Sequence, residues 1–126
     1  MNIVVLGAGA MGSLFGGYLA QASAAVTLVD VNETHIRAIR EKGLIVDRGD
    51  GPKVVEIQAT TNPSEVEPAD IIIVFCKYLN TETALTNATP YITPDTYIWT
   101  LQNGIGNVDV IARFVEQSRV VKGLTS

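Results

Sequence analysis

The sequence is poor in the residues that build metal sites and disulfides. It contains one cysteine, Cys76, and one histidine, His35, among 126 residues. A single cysteine excludes a disulfide within the chain, and these two side chains cannot supply the usual Cys/His ligand set of a zinc site. We therefore expect no bound metal.

Basic residues and long apolar runs are also scarce. Lys and Arg total 9 against 13 Asp and Glu, which gives a formal net charge of -4 at pH 7. An acidic chain is poorly suited to bind a nucleic-acid backbone. The apolar start, Met1 to Leu6, runs directly into Gly7, without a basic leader and without the length of a membrane span. We therefore expect a cytoplasmic protein with no nucleic-acid or membrane partner.

Hydrophobic runs of strand length alternate with segments of helical period along the whole chain. Hydrophobic residues make up 47% of the sequence, enough for one domain with a true core. The alternation predicts an α/β fold of the Rossmann type, a doubly wound and mainly parallel sheet with helices on both faces. The predicted strands are Asn2 to Leu6, Val26 to Asp30, Leu44 to Val46, Val54 to Ile57, Ile71 to Cys76, Tyr97 to Leu101 and Val120 to Leu124. The predicted helices are Met11 to Gln21, Glu33 to Lys42, Thr81 to Ala88 and Val108 to Glu116.

Local signals refine three of these elements. Asn32 is a suitable N-cap for the helix from Glu33, and Gly43 follows its basic last turn. Small residues in the first helix, Gly16 among them, would let that helix lie close to the sheet. The turn-forming stretch between Val46 and Val54 indicates a β-hairpin.

A glycine-rich turn, G-A-G-A-M-G, joins the first predicted strand to the first predicted helix. Gly7 permits the tight turn, Gly9 lets the backbone approach a pyrophosphate, and Gly12 lets helix and strand pack closely. The pyrophosphate would lie at the helix N-terminus, where free N–H groups favour an anion. A purely structural β-α turn is the alternative.

Asp30 is the companion acid that this motif requires. It ends the second predicted strand about 20 residues beyond the glycine turn, where a carboxylate can accept hydrogen bonds from an adenosine ribose. An ionised carboxylate at this place repels a 2′-phosphate, which favours NAD over NADP. The alternative for Asp30 is an exposed residue at a strand end.

Three motifs together make the sequence resemble the ketopantoate reductase family. They are the glycine turn, C-K-Y-L-N-T-E at Cys76 to Glu82, and L-Q-N-G-I-G-N at Leu101 to Asn107. They occur in the order found in that family and span almost the whole chain. The last two are the more discriminating, because many dehydrogenases share the glycine turn.

The resemblance implies an NAD(P)H cofactor and assigns residues to it. Cofactor-phosphate binding is implied for the turn residues Gly7, Ala8, Gly9, Ala10, Met11 and Gly12. Lys77 would approach the cofactor, and Asn103 would contact both the cofactor and the substrate. Family members that use NADP usually carry an arginine just after the second strand, whereas this chain has Val31 there. The family therefore implies NADP, while Asp30 favours NAD.

The resemblance also implies a division of labour between two domains. Residues 1–126 would form the NAD(P)-binding domain, and a helical C-terminal domain outside this sequence would supply the catalytic lysine, so no catalytic residue is expected here. The implied reaction reduces a small 2-oxo acid, ketopantoate to pantoate in pantothenate biosynthesis, with a homodimer as a further expectation. Two alternatives stay open: a related hydroxyacid dehydrogenase, and a non-catalytic nucleotide-sensing Rossmann module.

Overall fold

The computed structural model describes residues 2–7, 16–17, 19–20, 25–47, 49, 51–75, 78–100, 113–115 and 119–122. The strands within these ranges are β1 (Asn2–Leu6), β2 (Ala25–Val29), β3 (Leu44–Asp47), β4 (Pro52–Val55), β5 (Gln58–Thr60), β6 (Ile71–Val74), β7 (Tyr97–Thr100) and β8 (Val120–Lys122). Helices with described bounds are α1 (Glu33–Lys42) and α2 (Tyr78–Ala88). Residues 16, 17, 19 and 20 are also helical.

Six strands form one sheet in the order β5-β2-β1-β6-β7-β8. Every neighbouring pair in this sheet is parallel. Strand β1 lies inside the sheet, with β2 and then β5 on one side of it. After β5 the chain crosses to the other side of β1 and adds β6, β7 and β8 in turn. This confirms the predicted doubly wound, parallel sheet, with its topological switch point between β1 and β6.

Both faces of the sheet are covered, as predicted. Alternate residues of β1 enter different cores: Val5 packs in one cluster with Ile36 of α1, and Val4 packs in the other with Leu85 of α2. The central strand β6 is wholly apolar and its last three residues are buried. Such burial on two faces is what a continuous β-branched run predicts for a parallel strand.

Helix α1 begins and ends where the sequence predicts. The side chain of Asn32 accepts a hydrogen bond of 3.1 Å from the backbone N–H of His35. At the other end Gly43 has φ +82°, and its N–H donates to the carbonyl of Ile39. These caps satisfy backbone groups that would otherwise lack a partner inside the helix.

The predicted hairpin is present as the antiparallel pair β3 and β4, but its second strand differs from the prediction. It runs from Pro52 to Val55, whereas the expected strand was Val54 to Ile57. The register of the hairpin pairs Pro52 with Asp47, and an edge strand tolerates proline. The next strand, β5, was not predicted separately because three residues beginning with Gln58 give no clear apolar period.

Other boundaries also differ. Helix α2 begins at Tyr78 rather than at Thr81. Tyr and Leu have little unfavourable helix propensity and are not typical residues of a helix start, so the sequence gives no clear signal for this boundary. Residues 113–115 form a turn and bend instead of continuing a helix. This conformation lets the adjacent Phe114 and Val115 both pack against the core cluster that contains Leu85. The remaining parts of the predicted helices Met11 to Gln21 and Val108 to Glu116 lie outside the described residues.

Candidate functional site

Four strand ends are bonded to one another at the carboxyl edge of the sheet. The N–H of Asp30 donates to the carbonyl of Thr60 at 3.3 Å, and the N–H of Gly7 donates to the carbonyl of Val29 at 2.8 Å. The N–H of Phe75 donates to the carbonyl of Leu6, also at 2.8 Å. The residues that follow β2, β1 and β6 are therefore neighbours at the edge where parallel α/β sheets bind ligands.

Gly7 lies at the beginning of the glycine turn in a conformation that favours glycine. Its φ is +97°, a region that L side chains rarely adopt. The chain beyond the turn is helical at residue 16, and a Cβ atom added to Gly16 would lie 2.8 Å from Cδ2 of Leu28. The helix after the turn thus packs closely on β2, as the small-residue pattern predicts.

Asp30 follows β2 directly, and its carboxylate is held against the chain that follows it. Oδ1 accepts hydrogen bonds from the N–H of Val31 at 2.6 Å and from the N–H of Asn32 at 3.3 Å. The residue is half-buried. The carboxylate of Asp30 is thus fixed by the backbone of the segment that follows β2.

Side-chain oxygen acceptors already lie at the N-terminus of α1, close in sequence to Asp30. Asn32 caps the helix through His35, and Glu33 adds an acidic side chain in the first turn. Negative charge at a helix N-terminus is favourable in itself. A further anion placed here would be repelled by Asp30 and Glu33, whereas a hydroxyl group would not be repelled.

A polar network after β5 borders Asp30 and was not predicted from the sequence. Buried Thr60 donates from Oγ1 to Oε1 of Glu65 at 2.9 Å and accepts from the N–H of Asn62 at 3.0 Å. Oδ1 of Asn62 in turn accepts from the N–H of Ser64. The Asn62-Pro63 dipeptide is the sequence signal that could have indicated this turn. The network fixes the strand end to which Asp30 is bonded.

The other predicted site residues lie outside the described residues. They are Ala8, Gly9, Ala10, Met11, Gly12, Lys77 and Asn103. Their neighbours along the chain are placed: Phe75 precedes Lys77 by two residues, and Thr100 precedes Asn103 by three. Phe75 directly follows β6 and Thr100 is the last residue of β7, and these two strands are parallel.

The described residues contain no group of three His, Cys, Asp or Glu side chains arranged to hold a metal ion. Among the same residues, no helix combines the length and apolar character needed to cross a membrane.

Comparison with known proteins decides the family. The model of the family described as "Ketopantoate reductase PanE/ApbA" matches residues 3–126. The chain belongs to this family. The resemblance inferred from the three motifs is therefore confirmed.

Two curated relatives illustrate the match. The 2-dehydropantoate 2-reductase of Halobacterium salinarum is 39% identical over 127 residues, which cover 100% of this chain and 42% of the relative. That of Pyrococcus abyssi is 40% identical over 126 residues, covering 100% of this chain and 40% of the relative. The chain thus spans about two-fifths of the length of these relatives.

Solved structures agree on the fold. A PanE/ApbA family ketopantoate reductase from Ralstonia eutropha has a TM-score of 0.85 at 30% identity, over 97% of this chain and 40% of that one. A ternary structure of D-mandelate dehydrogenase with NADH and anilino(oxo)acetate has a TM-score of 0.91 at 36% identity, over 98% of this chain and 40% of that one.

Proposed function

We propose that this chain is the cofactor-binding domain of an NAD(P)H-dependent 2-oxo acid reductase, specifically a 2-dehydropantoate 2-reductase that converts ketopantoate to pantoate. The observation that carries the proposal is the hydrogen bonding that brings Gly7 and Asp30 together at the carboxyl edge of the sheet. Family membership supports it, because the family model covers residues 3–126. We place this activity in the cytoplasm, in pantothenate biosynthesis.

The residues at this edge fit a nicotinamide dinucleotide. Gly7, which has a positive φ, is the first residue of the glycine turn. The residues from Gly7 to Gly12 would bind the pyrophosphate. Asp30 would accept hydrogen bonds from the ribose, Lys77 would approach the cofactor, and Asn103 would orient both cofactor and substrate. When bound, a reduced nicotinamide supplies the hydride.

We further propose that NADH is preferred over NADPH. The carboxylate of Asp30 and the acidic first turn of α1 disfavour a 2′-phosphate, and Val31 offers no positive charge. The NADH-bound D-mandelate dehydrogenase, similar to this chain at 36% identity, supports this preference.

The proposed reaction divides between two domains. The chain spans about two-fifths of its curated relatives, so the residues that complete the active site would lie in a second, helical domain. A lysine there would hold the proton needed by the reduced oxygen. On this view residues 1–126 bind and orient the cofactor and contain no proton donor.

A related hydroxyacid dehydrogenase is the second candidate. It is supported by the D-mandelate dehydrogenase structure, which matches this chain with a TM-score of 0.91 at 36% identity. Both candidates reduce a 2-oxo acid and would bind the cofactor at the same carboxyl edge of the sheet. They differ in the side chain of the substrate.

Steady-state turnover of the full-length polypeptide separates the candidates. Ketopantoate and phenylglyoxylate, the 2-oxo acid related to mandelate, are each offered with NADH and with NADPH. We expect a higher kcat/KM for ketopantoate, with NADH as the better reductant. A higher kcat/KM for phenylglyoxylate would favour the second candidate, and no oxidation of either cofactor would contradict both. The 126-residue chain alone serves as the control and should show no turnover, since it would lack the proton donor.

A further inference from the structure

The two faces of β7 are covered to different extents. On one face Ile98 packs in the core cluster with Leu85 of α2 and is buried, as is Thr100. Successive residues of a strand alternate between its faces, so Tyr97 and Trp99 lie on the other one. There Trp99 is only partly buried and Tyr97 is 42% exposed. Two aromatic side chains on one face of β7 therefore retain surface in contact with solvent.

The partly covered area continues onto β6. In the parallel register Ile71 pairs with Tyr97, and Ile73 pairs with Trp99. Ile73 is buried, but Ile71 and Phe75, which lie on the same face, are only partly buried. We call the surface formed by Ile71, Phe75, Tyr97 and Trp99 the β6–β7 face. Contiguous apolar surface of this kind is characteristic of contact with another protein segment.

The winding of the sheet explains why α1 and α2 do not cover the β6–β7 face. Helix α1 lies on the same side of the sheet, but it packs beside β5, which is three strands away from β6 in the sheet order. Helix α2 follows β6, where the chain winds in the opposite direction, and it packs on the opposite side of the sheet. Right-handed crossovers require this change of side.

The relatives contain enough further polypeptide to cover this face. Those from Halobacterium salinarum and Pyrococcus abyssi are matched over 42% and 40% of their length, so more than half of each lies outside the match. Strand β8 is the neighbour of β7, and its Val121 pairs with Trp99. A segment that follows β8 therefore leaves the sheet one strand away from the β6–β7 face.

We propose that the β6–β7 face is the docking surface for an apolar helix of the second domain, packed along Tyr97 and Trp99. The proposal rests on the proposed function, in which a second domain completes the active site. A helix with an apolar stripe is the element that covers sheet faces in α/β folds. Burial of the two aromatic side chains would supply much of the favourable free energy of docking.

Tyr97 is already held in place for such a contact. The guanidinium carbon of Arg119 lies 4.7 Å from the centroid of the Tyr97 ring. Nη1 of Arg119 donates to the carbonyl of Asp95 at 3.0 Å, and Nη2 lies 3.7 Å from Oδ1 of the same residue. The stacked guanidinium restricts the ring, so less side-chain entropy is lost when a helix covers it.

Docking at this face would position the second domain for the reaction. Trp99 lies next to Thr100, the last residue of β7, and precedes Asn103 by four residues. A domain anchored on Trp99 is therefore brought towards the carboxyl edge of the sheet, where the proposed cofactor site needs a proton donor. In this account Tyr97 and Trp99 are positioning residues and do not contact the reacting atoms.

Photo-crosslinking in the full-length polypeptide tests the proposal. Tyr97 is replaced by p-benzoylphenylalanine, and the cross-linked peptides are identified by mass spectrometry. We expect cross-links to residues of the same molecule beyond position 126. The same probe at Ile45, which is 66% exposed on the hairpin, is the control and should give no cross-link to that domain.

Three results of the cross-linking would overturn the proposal. Cross-links from position 97 to a second molecule would make this face a contact between copies of the protein. Cross-links confined to residues 1–126 would mean that the first domain covers its own face. The absence of any cross-link from position 97 would mean that the face stays in solvent.

Substitution of Tyr97 in the full-length polypeptide gives a second readout. Tyr97→Glu places a charge in the apolar contact, so kcat/KM for the 2-oxo acid should fall about tenfold or more. The dissociation constant of NADH should change by less than about twofold, since Tyr97 begins β7 and the cofactor edge lies beyond its other end. Tyr97→Phe keeps the ring and should retain wild-type turnover, and Ile45→Glu controls for an added surface charge.

The outcomes of the substitution are distinct from failure of the proposed function. Unchanged kcat/KM in a folded Tyr97→Glu variant would overturn the docking surface. A parallel loss of NADH affinity and turnover would also overturn it, because Tyr97 would then support the first domain alone. A full-length wild type that oxidises neither NADH nor NADPH would instead contradict the proposed function, while the cross-linking result does not depend on activity.

Discussion

The backbone N–H of Gly7 donates a hydrogen bond of 2.8 Å to the carbonyl of Val29, the residue immediately before Asp30. This bond joins the beginning of the glycine turn to the end of β2. The two halves of the dinucleotide motif, far apart in sequence, are thereby held side by side.

Substitution of Asp30 should change cofactor selectivity. Asp30→Ala removes the proposed ribose acceptor and its negative charge, so NADH should bind more weakly while NADPH binds as well as before or better. We expect the ratio of the two dissociation constants to shift by about tenfold, which corresponds to ~1.4 kcal/mol. Calorimetric titration of both cofactors measures it.

Asp30→Asn provides a matched control for the loop, because its side-chain oxygen can still accept from the N–H groups of Val31 and Asn32. It should reduce the repulsion of a 2′-phosphate without releasing the segment. Tighter binding of NADPH than of NADH by the unmutated chain would show that a positive side chain, such as Lys77, outweighs Asp30.

Gly9→Val should abolish dinucleotide binding. A branched side chain would occupy the space in which the backbone must approach the pyrophosphate. The fold should largely survive, as circular dichroism can establish. A folded variant with undiminished NADH affinity would mean that the glycine turn is only structural.

Gly43→Ala should destabilise the protein more than Gly49→Ala. Both glycines have positive φ, +82° and +96°, and Gly43, with ψ 172°, lies in a region that is essentially confined to glycine, so we expect backbone strain of about 1–3 kcal/mol there. At Gly43 the added Cβ would also lie 2.6 Å from Cγ1 of Val54, whereas at Gly49 nothing lies within 4 Å. Val54 is β-branched, so few side-chain rotamers are open to it.

We expect urea unfolding to show an additional loss of about 1 kcal/mol for Gly43→Ala, in the range of overpacking costs. The double variant Gly43→Ala/Val54→Ala should recover part of that loss. Equal destabilisation by the two glycine substitutions would contradict the packing between the end of α1 and β4.

Thr60→Val should destabilise the protein by about 1–2 kcal/mol, although the two side chains have nearly the same shape. The substitution leaves Oε1 of Glu65 and the N–H of Asn62 without the Thr60 hydroxyl. Thr34→Val is the control, because Thr34 is exposed on α1 and both residues are β-branched. If urea unfolding gives the same stability for both variants, the network after β5 does not hold this strand end.

The sequence predicts the sheet and the positions of Gly7 and Asp30 well because its signals there are periodic and strong. A continuous apolar strand followed by glycine places Gly7, and an apolar strand ending in an acid places Asp30, at one edge of a parallel sheet. The N-cap Asn32 and the terminal Gly43 are likewise local signals that depend on few neighbours.

What the sequence does not predict depends on contacts between distant segments. β5 is three residues long and owes its place to pairing with β2, which no local period reveals. The position of Pro52 opposite Asp47 depends on the hairpin register. The bonding of Thr60 to Asp30 depends on tertiary pairing of the same kind.

The most direct test of the account is calorimetric titration of NADH into the folded 126-residue chain. Saturable binding with one site per chain, weakened in Asp30→Ala, is the predicted result, since the turn that begins at Gly7 and the carboxylate of Asp30 both belong to this chain. A folded chain that binds no NADH, or one that binds it equally well without the Asp30 carboxylate, would contradict the assignment of this sheet edge as the cofactor site.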